Sequence, residues 1–123
     1  MPNPYQDKID RHILKSGKVY RYHEQSSENA RIVILYQASF DGSMETYFAA
    51  VKAENNVVIT LTTGDLVFVT KACAAEWASG KDGDILFSFY LIDRNGNHGW
   101  LWWACFYENA WQKLSDSFEE VSP

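Results

Sequence analysis

The side chains that usually carry enzymatic chemistry are few in this sequence, and they do not form a known catalytic pattern. The histidines are His12, His23 and His98. A serine or cysteine hydrolase needs a nucleophile, a base and an orienting acid close together, and no Gly-x-Ser-x-Gly segment marks a nucleophile. Structural metal sites need several ligands at recurrent spacings, which these histidines do not provide. We therefore expect no enzymatic activity, no cofactor and no metal.

The cysteines and the paired acidic residues have simpler interpretations than ligand binding. Cys73 and Cys105 lie in apolar surroundings without a Cys-x-x-Cys spacing, which indicates reduced, structural thiols. Asp82 and Asp84 flank a glycine, but a calcium loop requires more oxygen ligands than this segment has. We expect a solvated turn at 81–84.

Aromatic residues make up 15% of the 123 residues, and this excess is the strongest anomaly in the sequence. They are concentrated in the segment 99–107, where strand geometry would place alternate side chains on opposite faces. Trp100 and Trp102 would then share one face, and Trp103 would lie on the other. Large side chains on both faces are typical of a central strand that is covered on both sides. The alternative is that one face recognises a partner, because tryptophan and tyrosine dominate binding hot spots.

The candidate partner-binding residues are the tryptophans of this segment and other aromatic side chains that could extend the same surface. Exposed tryptophan is unusual in a soluble monomer, so accessible members of the set would mark a partner interface or a homodimer interface. The set is Trp100, Trp102, Trp103, Tyr20, Tyr22 and Trp77, and Tyr36 and Tyr47 could extend it.

The hydrophobic spacing changes along the chain from a helical period to a strand-like one. Asn3 at the N-cap, Pro4 at the first helical position and apolar residues four apart predict a short helix over 4–15. From Lys18 onward, short apolar runs separated by polar turns predict antiparallel strands. The expected strands are 18–23, 31–36, one that begins at Thr46 and breaks at Glu54, 57–61, 66–69, 85–92 and 100–107.

Two later segments have helical patterns. The alanines and Trp77 between Lys71 and Ser79, followed by a glycine, predict one or two helical turns. At the C-terminus, apolar residues at spacings of three, four and three predict an amphipathic helix over 109–121. The residues on its apolar face are Trp111, Leu114, Phe118 and Val121.

These elements predict one α+β domain over residues 1–123. Its centre would be a strongly bent antiparallel sheet or a partly open barrel of about six or seven strands over 18–107. We expect the first strands to form a meander and the Asn95-Gly96 step to close the last hairpin. The short N-terminal helix and the capping C-terminal helix would cover this sheet.

The order of the predicted elements resembles the pleckstrin-homology superfold. The resemblance covers roughly residues 18–121 and consists of a run of antiparallel strands, a last hairpin and a terminal helix with Trp111 near its start. The segment from Tyr107 to Leu114 resembles the first part of that helix. The resemblance implies a bent sheet or partly open barrel plugged by the helix. Because members bind phosphoinositides, short peptides or whole proteins, it also implies binding rather than catalysis.

The charge of the chain limits its partner classes. The formal net charge is −5, which opposes the electrostatic attraction that supplies most nonspecific nucleic-acid affinity. Phosphoinositide-binding members of the superfold have a basic cluster on their first strands, but here Glu24 and Glu28 occupy the corresponding loop. We therefore expect neither nucleic acid nor membrane lipid as a partner. The nearest counterparts of the basic cluster are Lys15, Lys18, Arg21 and Arg31.

The expected compartment is the cytoplasm. No apolar run approaches the roughly 18 residues of a membrane span. The N-terminal residues lack the charged and apolar regions of a secretory signal.

Two binding functions remain open. The first is a non-enzymatic module that recognises a protein or peptide partner through an aromatic sheet surface. The second is a small acidic inhibitor or immunity-type protein, whose negative surface would steer it to a basic toxin, nuclease or defence factor. A pull-down that recovers a short linear segment would favour the first function, and one that recovers a basic nuclease would favour the second. An enzyme of an unfamiliar type is the third hypothesis.

Overall fold

A computed structural model of the chain describes residues 14–39, 44–76, 85–105 and 108–121. These residues form an α+β structure that is mostly antiparallel sheet, which confirms the predicted class. The predicted helix over 4–15 lies almost entirely outside the described residues. The elements are β1 (Lys18–Tyr22), β2 (Ala30–Leu35), α1 (Met44–Lys52), β3 (Val57–Thr62), β4 (Leu66–Glu76), β5 (Ile85–Asp93), β6 (His98–Cys105), α2 (Glu108–Ser117) and β7 (Phe118–Glu120).

The strands form two sheets. The larger sheet has the order β6-β5-β4-β1-β7, and the smaller one pairs β2 with β3. Every ladder is antiparallel. The meander predicted for the first half is wrong, because the polar segment 23–29 carries the chain from β1 to the other sheet, and β1 pairs with β4 and β7 instead. The sheet is not closed into a barrel.

Among the described residues, one backbone pair joins the edges of the two sheets. The Tyr36 N–H donates to the Trp100 carbonyl at 2.9 Å, and the Trp100 N–H donates to the Tyr36 carbonyl at 2.8 Å. The strands approach closely beside this pair, where a Cβ atom on Gly99 would lie 2.8 Å from the Leu35 Cβ and 2.7 Å from the Gln37 Nε2. Glycine is therefore the residue that lets β2 reach β6.

The core lies between the inner faces of the two sheets and α2. In the larger sheet, β5 contributes Phe87, Phe89 and Leu91 to this face, and in α2 the side chain of Leu114 is fully buried. The smaller sheet closes the core with alternate residues of β2 and β3. The remaining core residues are Leu14, Tyr20, Tyr22, Leu35, Ile59, Leu61, Val67, Val69, Leu101 and Phe118.

The hairpin between β5 and β6 confirms its prediction. The N–H of Gly96 donates to the Asp93 carbonyl at 3.1 Å, and Gly96 has a φ of +86°. One Asp93 carboxylate oxygen accepts the N–H groups of Asn95 and Asn97 at 2.9 and 2.8 Å. Positive φ at glycine and an acceptor side chain are the chemistry that a tight turn requires.

The strand predicted to begin at Thr46 is wrong, because Met44–Lys52 is the helix α1. Ala50 of α1 is fully buried, and Tyr47, three residues earlier, stacks on Trp102. This spacing of three places both residues on one helix face. Glu45 in the first turn and Lys52 in the last also suit the helix dipole.

Two boundaries differ from the predicted ones near the ends of the larger sheet. The helix predicted over Lys71–Ser79 is wrong as far as Glu76, because β4 continues to that residue and pairs with β5. The C-terminal helix ends at Ser117, and β7 then pairs with β1. Phe118 is buried as expected, but it lies in a strand rather than on a helix face.

Candidate binding surface

The outer face of the smaller sheet exposes large aliphatic side chains. Ile32 is 72% exposed, Val58 is 64% exposed and Ile34 is 41% exposed. They share one face because Ile32 lies opposite Thr60 and Ile34 lies opposite Val58 in the ladder. The intervening residues of both strands face the core. β2 therefore has a buried inner face and an apolar outer face that water contacts.

The same outer side continues across the Tyr36–Trp100 pair into the aromatic residues of β6. Tyr36 follows Ile34 on the outer face of β2, and its ring stacks on Trp102 with the centroids 3.9 Å apart. Trp100 is half-buried and meets the Tyr90 ring edge-to-face at 5.4 Å. Burial is the main cause that raises the pKa of the Tyr36 hydroxyl, so Tyr36 stays neutral at physiological pH. The outer patch is defined as Ile32, Ile34, Tyr36, Val58, Trp100 and Trp102.

The helix α1 borders the outer patch at Trp102. The rings of Tyr47 and Trp102 stack with centroids 5.7 Å apart. The C-terminal end of α1 is tied to β2 through Asn56, which donates to the Ala50 carbonyl at 2.9 Å and accepts the Gln37 N–H at 3.1 Å. Phe48 and Val51 of α1 are about half exposed, and the Phe48 ring meets the Tyr47 ring edge-to-face with the centroids 5.4 Å apart.

A slot separates β2 from β6 beyond the Tyr36–Trp100 pair. Its volume is about 350 Å³. Residues from both faces of both strands line it, so the slot lies between the strand edges rather than on one face. Among the described residues that line it, Ile32, Ile34, Tyr36 and Trp102 are on the outer face, Val33 and Leu101 are on the inner face, and Leu86 belongs to β5.

A wider groove of about 550 Å³ lies where the edge of β6 faces α2. Trp102 and Trp103 both line it although they point to opposite faces of β6, so this groove also lies at the strand edge. Its charged lining residues are Arg31 and Lys113, and no carboxylate is among the described residues that line it. The other lining residues are Gln25, Ser26 and Ser117.

Arg31 is held in this groove by a buried carboxylate. Its Nε and Nη2 atoms donate to the two Glu24 oxygens at 3.0 and 3.1 Å. Its guanidinium also lies 5.4 Å from the centroid of the Trp103 ring. The Glu24 carboxylate, on a residue that is 4% exposed, accepts a further hydrogen bond from the Tyr22 hydroxyl at 2.6 Å. This network fixes Arg31 in one orientation while nearly half of its side chain stays exposed.

Opposing effects act on the pKa of Glu24. Burial raises it, but the hydrogen bonds from Tyr22, Arg31 and the Ser26 N–H outweigh that effect and hold it below the usual range. Burial and the hydrogen bond to Glu24 raise the pKa of the Tyr22 hydroxyl. Glu24 is therefore an anion and Tyr22 a neutral donor at physiological pH, which keeps the network intact.

A second, smaller apolar patch lies on the outer face of the larger sheet. Leu66, Phe68 and Ile92 are each somewhat more than one-third exposed, and they surround a shallow hollow of about 210 Å³. Phe68 lies opposite Val19 on one side and Ile92 on the other. These three side chains are less exposed than those of Ile32 and Val58.

The structure separates the residues that the sequence grouped as one binding surface. Trp100 and Trp102 lie in the outer patch, whereas Trp103 faces inward and contacts Phe118 with the rings 6.0 Å apart. Tyr20 and Tyr22 are buried in the core, so they form no part of an exposed surface. Trp77 lies outside the described residues.

Sequence reasoning missed the aliphatic half of the outer patch. The run Ile32-Val33-Ile34-Leu35 is typical of a strand covered on both faces, yet its outer residues are exposed. Val58 also lies in an apolar run and is likewise exposed. Ile32, Ile34 and Val58 alternate with buried residues along their strands, but an apolar run gives no sign of which alternate set faces water.

Neither described helix is long and apolar enough to cross a membrane. Among the described residues, no three or more His, Cys, Asp and Glu side chains are grouped as metal ligands would be.

No protein family, curated protein or solved structure matches this chain. The resemblance to the pleckstrin-homology superfold therefore stays a prediction. Any function must be argued from the surface itself.

Proposed function

We propose that this protein is a non-enzymatic binding module that recognises a protein or peptide partner through its outer patch. The observation that carries the proposal is the exposure of Ile32, Ile34 and Val58 on one face, in register and beside Trp100 and Trp102. Single exposed aliphatic residues are common on soluble proteins. A set of them that adjoins aromatic side chains is typical of an interaction site.

The composition of the outer patch fits a partner interface better than a small-molecule pocket. Interfaces concentrate aromatic residues at their centre and exclude charge from it, and the patch itself contains no charged residue. Tyr36, Trp100 and Trp102 are already held by ring contacts with each other or with Tyr90. Little side-chain entropy is therefore lost when a partner covers them.

The smaller patch around Phe68 provides a matched comparison for the test. We would prepare the double variant Ile32→Thr, Val58→Thr in the outer patch and the double variant Leu66→Thr, Phe68→Thr in the smaller patch. Threonine keeps a preference for strands. Because the replaced side chains are exposed, we expect each double variant to keep the fold, which chemical denaturation would check.

Affinity capture from the organism's own lysate, followed by titration of the captured protein, tests the proposal. We expect wild-type protein and the Leu66, Phe68 variant to bind the captured partner equally. We expect the Ile32, Val58 variant to bind it at least tenfold more weakly, as for loss of about 1.4 kcal/mol at an interface. Equal binding by all three proteins would contradict the proposal. A captured basic nuclease whose binding responds to salt and not to these variants would instead favour the acidic inhibitor.

A further inference from the structure

We propose that the slot between β2 and β6 receives an extended segment of a partner polypeptide, which pairs with the edge of β2 as an added strand. The proposal deepens the proposed function and rests on it, since it assumes that the partner is a polypeptide. It specifies the conformation of that partner, the main-chain groups that bind it and the chemistry of its side chains.

The pair between Tyr36 and Trp100 fixes where the main-chain groups of β2 point. Both the N–H and the C=O of Tyr36 bond toward β6. Main-chain groups of a strand alternate in direction, so those of Ile34 and Ile32 also point toward β6. Those of the intervening residues Val33 and Leu35 point toward β3, with which β2 pairs along its whole length.

The ladder between β2 and β6 nevertheless stops after one pair. Continued in register, it would place Ile34 opposite Trp102, but within the described residues Tyr36 and Trp100 make the one bridge between these strands. The edge of β2 at Ile32 and Ile34 therefore faces the slot without a described strand beside it. An exposed strand edge is a template for a further strand, because its N–H and C=O groups lie at the spacing that extended backbone matches.

The side chains that line the slot define what kind of segment fits. In an inserted strand, alternate side chains would point to the inner and the outer face. On the inner face they would meet Val33 and Leu101, and on the outer face Ile34 and Trp102. Both sets of positions therefore contact apolar side chains. We expect a segment with β-branched or aromatic residues at consecutive positions.

The charged residues near one end of the slot predict the chemistry of one end of the bound segment. The wider groove at the α2 end of the β6 edge is lined by Arg31 and Lys113, and none of its described lining residues is acidic. This is unusual in a chain with a net charge of −5. Arg31 is preoriented by Glu24, and Lys113 lies on the exposed side of α2. Because Glu24 already neutralises the Arg31 guanidinium, an acidic side chain at the corresponding end of the segment would complement Lys113.

A random decapeptide library displayed on phage is the probe. The library would be selected on the full chain, and the bound phage would be counted in parallel on the wild-type chain and on the variant Lys113→Glu. Lys52→Glu on α1 is the matched control, because it also reverses the charge of an exposed lysine. We expect enriched peptides to combine an apolar run with a terminal acidic residue. We expect Lys113→Glu to weaken binding of the synthetic peptide about tenfold and Lys52→Glu to leave it unchanged.

Methylation of the peptide backbone then tests strand pairing without altering the protein. Each amide nitrogen of the selected peptide would be methylated in turn, which removes one hydrogen-bond donor. We expect affinity to fall about tenfold at each position within the slot, because successive N–H groups face β2 and β6 in turn and the main-chain groups of Trp102, like those of Trp100, point toward β2. A peptide that binds through its side chains alone would keep its affinity when its backbone is methylated.

Two results would overturn the strand proposal. One is that no peptide is enriched on the wild-type chain over Lys113→Glu. The other is that methylation leaves the affinity unchanged, as for a peptide that binds through side chains alone. Either result leaves the proposed function standing if the captured partner still depends on Ile32 and Val58. Loss of that dependence, with an affinity that still falls on methylation of the peptide, would instead overturn the outer patch and retain the slot.

Discussion

Glu24 is the residue whose chemistry is most tightly fixed by its surroundings. The Glu24→Gln substitution removes the charge that Arg31 and Tyr22 both contact, so we expect the free energy of unfolding at pH 7 to fall by about 1–3 kcal/mol. Urea denaturation would measure the change. Glu28→Gln in the same loop is the control, because Glu28 is exposed, and we expect a change below about 0.5 kcal/mol.

The same residue predicts how stability depends on pH. The folded-state pKa of Glu24 is lowered, so its stabilising contribution is complete above the unfolded value near 4.5 and is lost as pH falls through the folded value. The difference in stability between the wild type and Glu24→Gln should therefore shrink as pH is lowered from 6 toward 3. Denaturation curves across that range would measure it. A difference that stays constant would mean that the carboxylate charge contributes nothing to folding.

Single residues also show how far the sequence predicted the candidate site. The alternation of β6 correctly separates Trp100 and Trp102 from Trp103. It cannot show that Tyr20 and Tyr22 face the core, because strand alternation places residues on faces without saying which face is covered. Nor does the sequence indicate the partnership of Glu24 with Arg31 and Tyr22, which depends on a loop conformation.

Among the elements, α2 places the fully buried side chain of Leu114 in the core. We expect Leu114→Ala to lower the free energy of unfolding by about 2–5 kcal/mol, because the fully buried side chain would leave a cavity among core residues of the sheet. Ser115→Ala, at the next and exposed position, is the control and should have little effect. Chemical denaturation would compare them. A loss below about 1 kcal/mol for Leu114→Ala would mean that α2 is not docked through this residue.

The joint between β2 and β6 depends on Gly99 in two ways. Its φ is +153°, and an added Cβ would also meet the Leu35 backbone and side chain within 3.0 Å. Gly64 has a φ of +102° but nothing within 4 Å of its Cβ position, so Gly64→Ala measures backbone strain alone. We expect Gly64→Ala to lower the free energy of unfolding by about 1–3 kcal/mol. Gly99→Ala should lower it by about 1–3 kcal/mol more, because the added methyl group overpacks the site. Thermal and urea denaturation would measure both, and equal losses would contradict the close approach.

The elements that sequence reasoning misassigned share a physical cause. Thr46, Tyr47, Phe48 and Val51 are residues that favour strands, but the spacing of three between Tyr47 and Ala50 decides the helix. The alanines after Lys71 favour a helix, yet pairing with β5 continues the strand to Glu76. In both segments tertiary contacts override a weak local preference. The strands β1, β2, β3 and β5 match their predictions within one or two residues because their apolar runs end at clear turns.

At the scale of the whole molecule, two of the four described ladders in the larger sheet join distant parts of the chain. β1 pairs with β4 and with β7, so its contacts close long loops. Proteins dominated by such contacts fold slowly, and we expect refolding from urea on the order of milliseconds to seconds. Stopped-flow tryptophan fluorescence would follow it, since Trp103 packs against Phe118 of the last strand. Refolding within microseconds would contradict the topology.

The position of β1 between β4 and β7 also orders events during translation. β1 is the first described strand to leave the ribosome, but neither of its neighbours exists at that time. Tyr20 and Tyr22 stay without their core until Leu66–Glu76 has been made, and one edge of β1 stays open until Phe118–Glu120 has followed. One edge of this aromatic strand therefore stays unpaired from the synthesis of β1 until that of β7. The sheet is complete only after β7 has been made, and until then the open edge of β1 is a site at which chains can aggregate.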